Sequence, residues 1–358
     1  MAAIAKSIPL SKVGCNGYEV KEYLWSWQDQ QLRVVYETLG KGKPVLLLPA
    51  FSTVSTRGEM GSLAKLLSSG FQAVAVDWLG FGQSSRLPLD YRPQLYHQFL
   101  DDFVKNVFNT QIAVVAAGHA AGYVMQLAAT KAAFSQIVLV APTWRGPLTV
   151  MGANRQIAGT VRLAVTSPIF GQVLYKLNTT PSFLRLMYQR HVYTDASKLT
   201  PDFIQHKWQI TQQSGARFAP AAFVTGTLDP VQNQADFHAW FQPPPAPVLV
   251  VIAEQSPPKS RKEMEALALS GVQTRSLPGS LGLHEEYSAE LAELTLPYRV
   301  CDGILGSSSP LNNRSFSLMP EMVLSSSFLL PFRSQFGYAL PYCRKTQNLV
   351  SLYLLLKL

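Results

Sequence analysis

Cysteine and acidic residues are scarce in this 358-residue chain, and both shortages exclude classes of function. The three cysteines, Cys15, Cys301 and Cys343, are too few and too scattered for a disulfide framework or a cysteine-based zinc site. The six histidines contain no His-x-x-x-His pair, so we expect no metal and no other cofactor. A reducing compartment is the simpler expectation.

Long apolar runs at the positions typical of membrane targeting are also missing. The first 20 residues lack the continuous apolar stretch of about 7 to 15 residues that a secretory signal needs. The uncharged run 111–130 is about as long as a membrane span, but Gly118, His119 and Gly122 interrupt it. We therefore interpret this run as strand, turn and helix, and expect the protein to be cytoplasmic.

Acidic residues number 22 against 31 lysines and arginines, which gives a net charge of +9. This excess of positive charge is unevenly distributed along the chain, since nine basic residues and only two acids, Asp195 and Asp202, lie between Trp144 and Pro220. Apolar residues are interleaved with these cations, a pattern that suits peripheral contact with an anionic membrane. We expect no nucleic-acid partner, because no binding module is recognisable. The oligomeric state is not predicted.

Short apolar runs alternate with amphipathic stretches such as Gly58 to Leu67 and Leu95 to Phe108. Continuous apolar strands are typical of a parallel sheet that is buried on both faces, and their alternation with helices predicts a doubly wound α/β fold. Two earlier segments, Tyr18 to Trp27 and Leu32 to Thr38, are predicted to form antiparallel edge strands. The predicted core strands are Val45 to Leu48, Ala73 to Val76, Ile112 to Ala117, Ile137 to Val140, Val248 to Ile252 and Val272 to Leu277.

Helical patterns punctuated by prolines replace the strand signal after the sixth predicted strand. We interpret residues 144–220 as a helical cap inserted into a core formed by residues 1–143 and 221–298. A helix is predicted from Glu285 to about Leu294. Residues 299–358, rich in serine and proline, are predicted to be an appended tail of uncertain structure.

The strand Ile112 to Ala117 runs into Gly118-His119-Ala120-Ala121-Gly122 and then into a helical sequence. This is the spacing of the Gly-x-Ser-x-Gly nucleophile elbow, a tight turn that presents its middle side chain in a strained, exposed position. The middle residue here is Ala120, which has no oxygen with which to attack a carbonyl.

With this motif the sequence resembles the α/β-hydrolase superfamily, over roughly residues 18–296. Leu46 to Phe51 is similar to the strand and His-Gly-Phe loop of that family, and Asp77 to Ser84 is similar to its Asp-x-x-Gly-x-Gly-x-Ser turn. Pro278 to Glu286 is similar to the loop that carries the catalytic histidine. The resemblance implies an α/β-hydrolase fold with a mostly parallel sheet and a helical cap.

Site residues follow from the same resemblance. It implies that His284 is the general base and that amides near Phe51 and Ala121 form an oxyanion hole. Ser256 stands at the position where the family usually has its catalytic acid. Glu254 is therefore the first candidate for the acid, and Asp229 is the alternative.

The segment that follows the strand ending at Val140 adds two candidates for a ligand pocket. Trp144 and Arg145 lie at the sheet edge where pockets open in such folds, as an aromatic wall and a cation, or only as a hinge of the cap.

The sequence is similar to an α/β-hydrolase-like subgroup of cyanobacteria and plastid-bearing organisms that lacks the elbow serine, which adds the plastid as an alternative location. We expect an impaired member of the family that binds a small apolar or acyl ligand. One alternative is an active non-serine hydrolase or lyase with His284 as general base. The other is a module that docks on a membrane or a partner through the basic cap.

Overall fold

The structure is a computed structural model that describes residues 12–13, 18–168 and 170–300. In these residues one sheet contains nine strands, the first of only two residues. The strands are β1 (Lys12–Val13), β2 (Glu19–Trp27), β3 (Gln30–Leu39), β4 (Lys43–Leu48), β5 (Phe71–Val76), β6 (Ile112–Ala117), β7 (Phe134–Val140), β8 (Val248–Ala253) and β9 (Gln273–Leu277). Their spatial order is β1-β2-β3-β5-β4-β6-β7-β8-β9.

The sheet is antiparallel at one edge and parallel elsewhere. β1, β2, β3 and β5 pair successively in antiparallel fashion, whereas β5, β4, β6, β7, β8 and β9 are parallel. Every residue of β6 and β8 is buried, because neighbouring strands and helices cover both. The predicted doubly wound sheet and its antiparallel edge are confirmed. The cap was expected after the sixth strand; because β1 adds one strand, the corresponding helices follow β7.

Thirteen α-helices accompany these strands in the described part of the chain. They are α1 (Gly61–Leu67), α2 (Pro93–Val107), α3 (Ala120–Thr130), α4 (Pro147–Val150), α5 (Arg155–Thr166), α6 (Phe170–Leu177), α7 (Pro181–Met187), α8 (Pro201–Thr211), α9 (Phe218–Val224), α10 (Gln234–Ala239), α11 (Pro258–Ala268), α12 (Leu283–Glu286) and α13 (Ser288–Val300). A 3₁₀ turn, Arg57–Met60, precedes α1, and a π-helical turn, Tyr188–Val192, follows α7.

The helices between β7 and β8 begin where the local sequence dictates. Thr180 and Thr200 accept hydrogen bonds from the third amide of α7 and α8, and a proline occupies the first position of each helix. The predicted cap boundary at residue 220 falls inside α9, so that division of the chain stays a prediction. The predicted tail 299–358 lies outside the described residues, apart from the last two residues of α13.

A second, smaller core joins the helices after β7 to the loop after β4. Val54 in that loop packs with residues from α7, α8 and the segment between them. The remaining members of this cluster are Leu184, Tyr188, Tyr193, Leu199 and Ile204. The helical segment therefore lies directly over the loop that leads into the Arg57–Met60 turn.

Candidate functional site

The turn that follows β6 differs in geometry from the expected elbow. Gly118 takes the positive φ of this turn, at +52°, a conformation that favours glycine. Ala120 is already the first residue of α3 and is fully buried. In the described part of the chain, positive φ at a non-glycine residue occurs only at Gln28, Asp29 and Ala141. The expectation of a strained, exposed Ala120 is wrong, because Gly118 accommodates the turn two residues earlier.

The backbone amide of Ala121, predicted to serve an oxyanion hole, donates a 3.2 Å hydrogen bond to the carbonyl of Gly118 within the turn. Phe51, on the loop after β4, is also buried. Its ring stacks on Trp78 at 4.9 Å and meets Tyr96 edge-on at 5.0 Å between ring centroids. The Phe51 ring also lies 5.9 Å from His119. Aromatic side chains thus fill the space next to the turn.

His119 and Asp229 form a buried pair behind Ala120. The Nε2 atom of His119 lies 2.9 Å from the carbonyl oxygen of Leu228 and 3.6 Å from Oδ1 of Asp229. A carbonyl only accepts, so Nε2 carries the proton and Nδ1 is left without a partner among the described residues. Burial lowers the pKa of His119 to about 4, so the ring is neutral at neutral pH.

Asp229, the alternative acid, is held by the segment after β7. Its Oδ1 accepts a 2.7 Å hydrogen bond from the amide of Gly146, and Thr149 contributes a second hydrogen bond. Burial nevertheless raises the pKa of Asp229 to about 7. The structure places Asp229 beside His119 and not beside His284.

We predict that Asp229→Asn changes the pH dependence of stability. Because the folded pKa is raised, the folded state takes up a proton that the unfolded chain lacks, and stability falls as pH rises from the ordinary value towards about 7. Asn keeps the acceptor for Gly146 but carries no charge. In urea unfolding, the free energy of unfolding of the variant, relative to that of the wild type, should rise by on the order of 2 kcal/mol between pH 5 and pH 8. Parallel pH profiles for the two proteins would contradict this expectation.

His284 lies on α12, and its carboxylate partner is a residue that the sequence did not single out. The Nε2 atom of His284 is 3.4 Å from Oε2 of Glu59, in the 3₁₀ turn before α1. Lys207 on α8 donates to Oε1 of Glu59 at 3.3 Å and to Oε1 of Glu285 at 2.9 Å. These four residues, Glu59, Lys207, His284 and Glu285, form what we call the buried ionic cluster.

The first candidate for the acid is not part of this cluster. Glu254 is exposed at the end of β8, and its carboxylate has no hydrogen bond or ion pair within the described residues. Ser256, at the usual acid position, donates its hydroxyl proton to the carbonyl of Ala253 at 2.7 Å. The expected pairing of Glu254 with His284 is therefore absent, because Glu59 occupies that position from the opposite end of the sequence.

Charges in the buried ionic cluster compensate one another. Burial would raise the pKa of Glu59, but the nearby Lys207 ammonium and the hydrogen bond with His284 hold it below its ordinary value. Burial would lower the pKa of Lys207, but Tyr188, Glu59 and Glu285 keep it well above its ordinary value. Glu59 and Lys207 are thus both charged at neutral pH.

A local signal could have revealed Lys207. On α8 the buried positions include Ile204, Lys207 and Thr211, at spacings of three and four residues, so the lysine falls on the helix's inward stripe. A lysine in such a stripe requires a buried carboxylate partner. The identity of that partner, Glu59, has no comparable signal, since it is 148 residues away.

Trp144 and Arg145 contact other helices in the structure. Trp144 is buried and stacks on Phe237 of α10, with ring centroids 6.5 Å apart. The Arg145 guanidinium lies 4.7 Å above the Trp144 ring and pairs with Glu263 of α11. Its charge is therefore already compensated by a protein carboxylate.

The mostly parallel sheet, the glycine turn after β6 and the histidine on α12, just after the last strand, together define an α/β-hydrolase-fold protein. The family model described as "Alpha/beta hydrolase family" matches residues 45–294, and the chain belongs to this family. No curated protein matches the chain.

Solved structures share this fold at low sequence identity. The bromoperoxidase from Bacillus anthracis is 15% identical, with a TM-score of 0.59, and covers 75% of this chain and 96% of its own. The thermophilic esterase from Thermogutta terrifontis is 18% identical, with a TM-score of 0.57, over 82% and 98% of the two chains. A serine hydrolase of carbazole degradation, CarC, is 17% identical, with a TM-score of 0.55, over 75% and 95%. Identities this low establish the fold alone.

Proposed function

We propose that this protein is a member of the α/β-hydrolase family that forms no acyl-enzyme and binds a small apolar or acyl ligand. The observation that carries the proposal is the turn after β6. Neither Gly118, which has the positive φ of the turn, nor Ala120, a buried methyl group in the middle of the elbow motif, has a nucleophilic atom. Covalent catalysis needs a nucleophilic side-chain atom at this turn, which glycine and alanine lack.

The surroundings of His284 support the same conclusion. A general base must offer a free ring nitrogen to the proton it removes. In this protein Nε2 of His284 faces Glu59, and the side chain is only 4% exposed. The other ring nitrogen, Nδ1, is buried and has no hydrogen-bond partner among the described residues. The free nitrogen is thus closed off from solvent, so the imidazole in this conformation offers no accessible base to a hydroxyl introduced at residue 120.

An open groove of about 640 Å³ between α7 and α8 offers a place for the ligand. Its wall contains the apolar side chains of Leu186 and Ile204, and Arg185 lies at the same groove. An acyl chain along the apolar wall with its carboxylate at Arg185 would match this combination. The other lining residues are Pro181, Ser182, Gln189, Pro201 and Gln205.

We predict no covalent labelling of the protein by a fluorophosphonate probe and no burst of p-nitrophenol from an acyl-enzyme when p-nitrophenyl butyrate is added. Loss of a triad nucleophile typically leaves only about 10³- to 10⁴-fold acceleration over water, from binding and the oxyanion hole. Ala120→Ser should remain unlabelled as well, because the free nitrogen of His284 is buried. Labelling is measured by intact-protein mass spectrometry.

Two controls make this test decisive. Labelling of Ala120→Ser that disappears when His284→Ala is added would show that His284 can activate residue 120, and would contradict the argument from burial. Robust esterase activity of the unaltered chain that disappears in His284→Ala would contradict the proposal.

Binding is tested by native mass spectrometry of the purified protein with decanoate as the probe. We expect a one-to-one complex that Ser182→Trp abolishes, because the indole would fill the groove. Gln209→Trp is the matched control, since Gln209 is exposed on α8 but does not line the groove. No complex, or equal loss in both variants, would count against a ligand at this place.

One contact favours a second candidate function. A carboxylate 3.4 Å from an imidazole is the arrangement that supports a histidine general base, and Glu59 and His284 provide it. A non-serine hydrolase or lyase built on this pair would resist fluorophosphonates yet lose activity in both His284→Gln and Glu59→Gln. Activity that survives either substitution would exclude this candidate.

A further inference from the structure

Large apolar side chains are exposed on one corner of the helical segment after β7. Eight such side chains are exposed in the described part of the chain, and four of them lie within residues 163–177. They are Leu163, which is 75% exposed, with Phe170, Val173 and Leu177 at 63%, 55% and 56%. We call these four residues the apolar corner.

The apolar corner lies on two consecutive helices that pack against each other. Phe170, Val173 and Leu177 follow one another at spacings of three and four residues, so they share one face of α6. Leu163 lies in the last turn of α5, directly before the bend of 105° into α6. Gly171 permits this bend, since a Cβ there would lie 2.1 Å from the carbonyl oxygen of Val165.

The opposite face of α6 already supplies the contacts that hold the helix in place. Gly171 and Tyr175, four residues apart, are buried against the rest of the protein. A surface helix usually presents polar residues on its outer face. The outer face of α6 is apolar instead, so packing within the described protein does not explain it.

Charge around the apolar corner favours one kind of partner. Between Trp144 and Thr194 the sequence contains six lysines and arginines and no acid. Arg145 pairs with Glu263 and Arg162 with Asp90, so four of these six cations have no ion pair within the described residues. Lys176, at the edge of the apolar face, is exposed and has no ion pair within the described residues. The acid that approaches α5 is Asp90, which already pairs with Arg162 and Arg92. The unpaired charge of this segment is therefore positive.

We infer that the apolar corner docks on an anionic membrane surface, with Leu163, Phe170, Val173 and Leu177 inserted at the level of the lipid headgroups. Lysine and arginine side chains beside an inserted apolar face attract anionic headgroups, and the two contributions add. No single helix among residues 18–168 and 170–300 is long and apolar enough to cross a membrane. α5 and α6 together have the length and composition of a span, but the pair is bent by 105°, and we infer a peripheral contact. This inference is independent of the chemistry at Ala120.

Vesicle flotation of the full chain tests the inference. We expect binding to phosphatidylglycerol–phosphatidylcholine vesicles that exceeds binding to phosphatidylcholine alone and weakens in high salt. Phe170→Gln combined with Leu177→Gln should reduce the partition constant at least about tenfold. Because both side chains are exposed, the thermal unfolding temperature of this variant should stay unchanged.

Leu269→Gln is the matched control, since Leu269 is 88% exposed at the end of α11, outside the apolar corner. We expect it to bind vesicles like the unaltered chain, and Lys176→Gln to bind more weakly only at low salt. Absence of vesicle binding, unchanged binding of the double variant, or an equal loss in Leu269→Gln would overturn the inference.

Discussion

Replacing Lys207 by methionine is expected to destabilise the protein by about 3–5 kcal/mol, because two carboxylates would lose their buried cation. The side chain of Lys207 is 3% exposed, and those of Glu59 and Glu285 are 5% and 19% exposed. Methionine fills a similar volume but compensates no charge. Urea unfolding at pH 7 measures the loss.

A double variant separates charge from packing. Glu59→Gln combined with Lys207→Met removes one buried anion together with the cation, so it should be more stable than Lys207→Met alone. Lys65→Met, on the exposed surface of α1, should stay within about 0.5 kcal/mol of the wild type. A cost below about 1 kcal/mol for Lys207→Met would show that the cluster is hydrated or dispensable.

The buried ionic cluster also predicts how the free energy of unfolding changes as the pH falls. Because the folded pKa of Glu59 is lowered, its contribution is present above the ordinary pKa of a glutamate and is lost as pH falls through the folded value. The raised pKa of Lys207 gives the opposite sign, with loss only at strongly alkaline pH. The cluster therefore holds α8 onto the core throughout the neutral range.

Gly82→Ala is the second substitution with a large expected effect. Gly82 has φ of +51°, and a Cβ there would lie 2.0 Å from the carboxylate carbon of Asp77. Asp77 is fully buried and accepts hydrogen bonds from the amides of Arg57, at 2.6 Å, and Gln83, at 2.8 Å. Alanine must either displace that carboxylate or strain the turn.

We expect Gly82→Ala to cost about 3 kcal/mol or more, from a positive φ in an alanine and from overpacking of a filled site. Differential scanning fluorimetry should show a large fall in the unfolding temperature. Gly70→Ala is the matched control, because Gly70 has nothing within 4 Å of its added Cβ and no positive φ. Equal unfolding temperatures for the two variants would contradict the expected clash.

Much of the architecture was predictable from periodicity. The apolar runs at Val45 to Leu48 and Ile112 to Ala117 became β4 and β6, since a strand buried on both faces must be apolar throughout. The helix predicted from Glu285 starts earlier and is divided into α12 and α13. Boundaries of this kind depend on local turns that periodicity does not describe.

The candidate site was predictable only in part. Spacing alone located the turn with Ala120 and the loop with His284, but it also implied a strained Ala120, and the φ of +52° at Gly118 removes that strain. Exposure was equally hard to predict: Leu184 is interleaved with the cations in the same way as Leu177, yet only Leu177 is exposed.

What the sequence by itself determined is local: which segments form strands, where the chain turns, and that residue 120 has no nucleophilic atom. The tertiary structure decided which charges meet. Glu59 and His284 are 225 residues apart, and Lys207 reaches both carboxylates from a third element. Such pairing depends on how helices pack over the loop after β4, because a buried charge must find its counterion in space and spacing along the chain does not encode that distance.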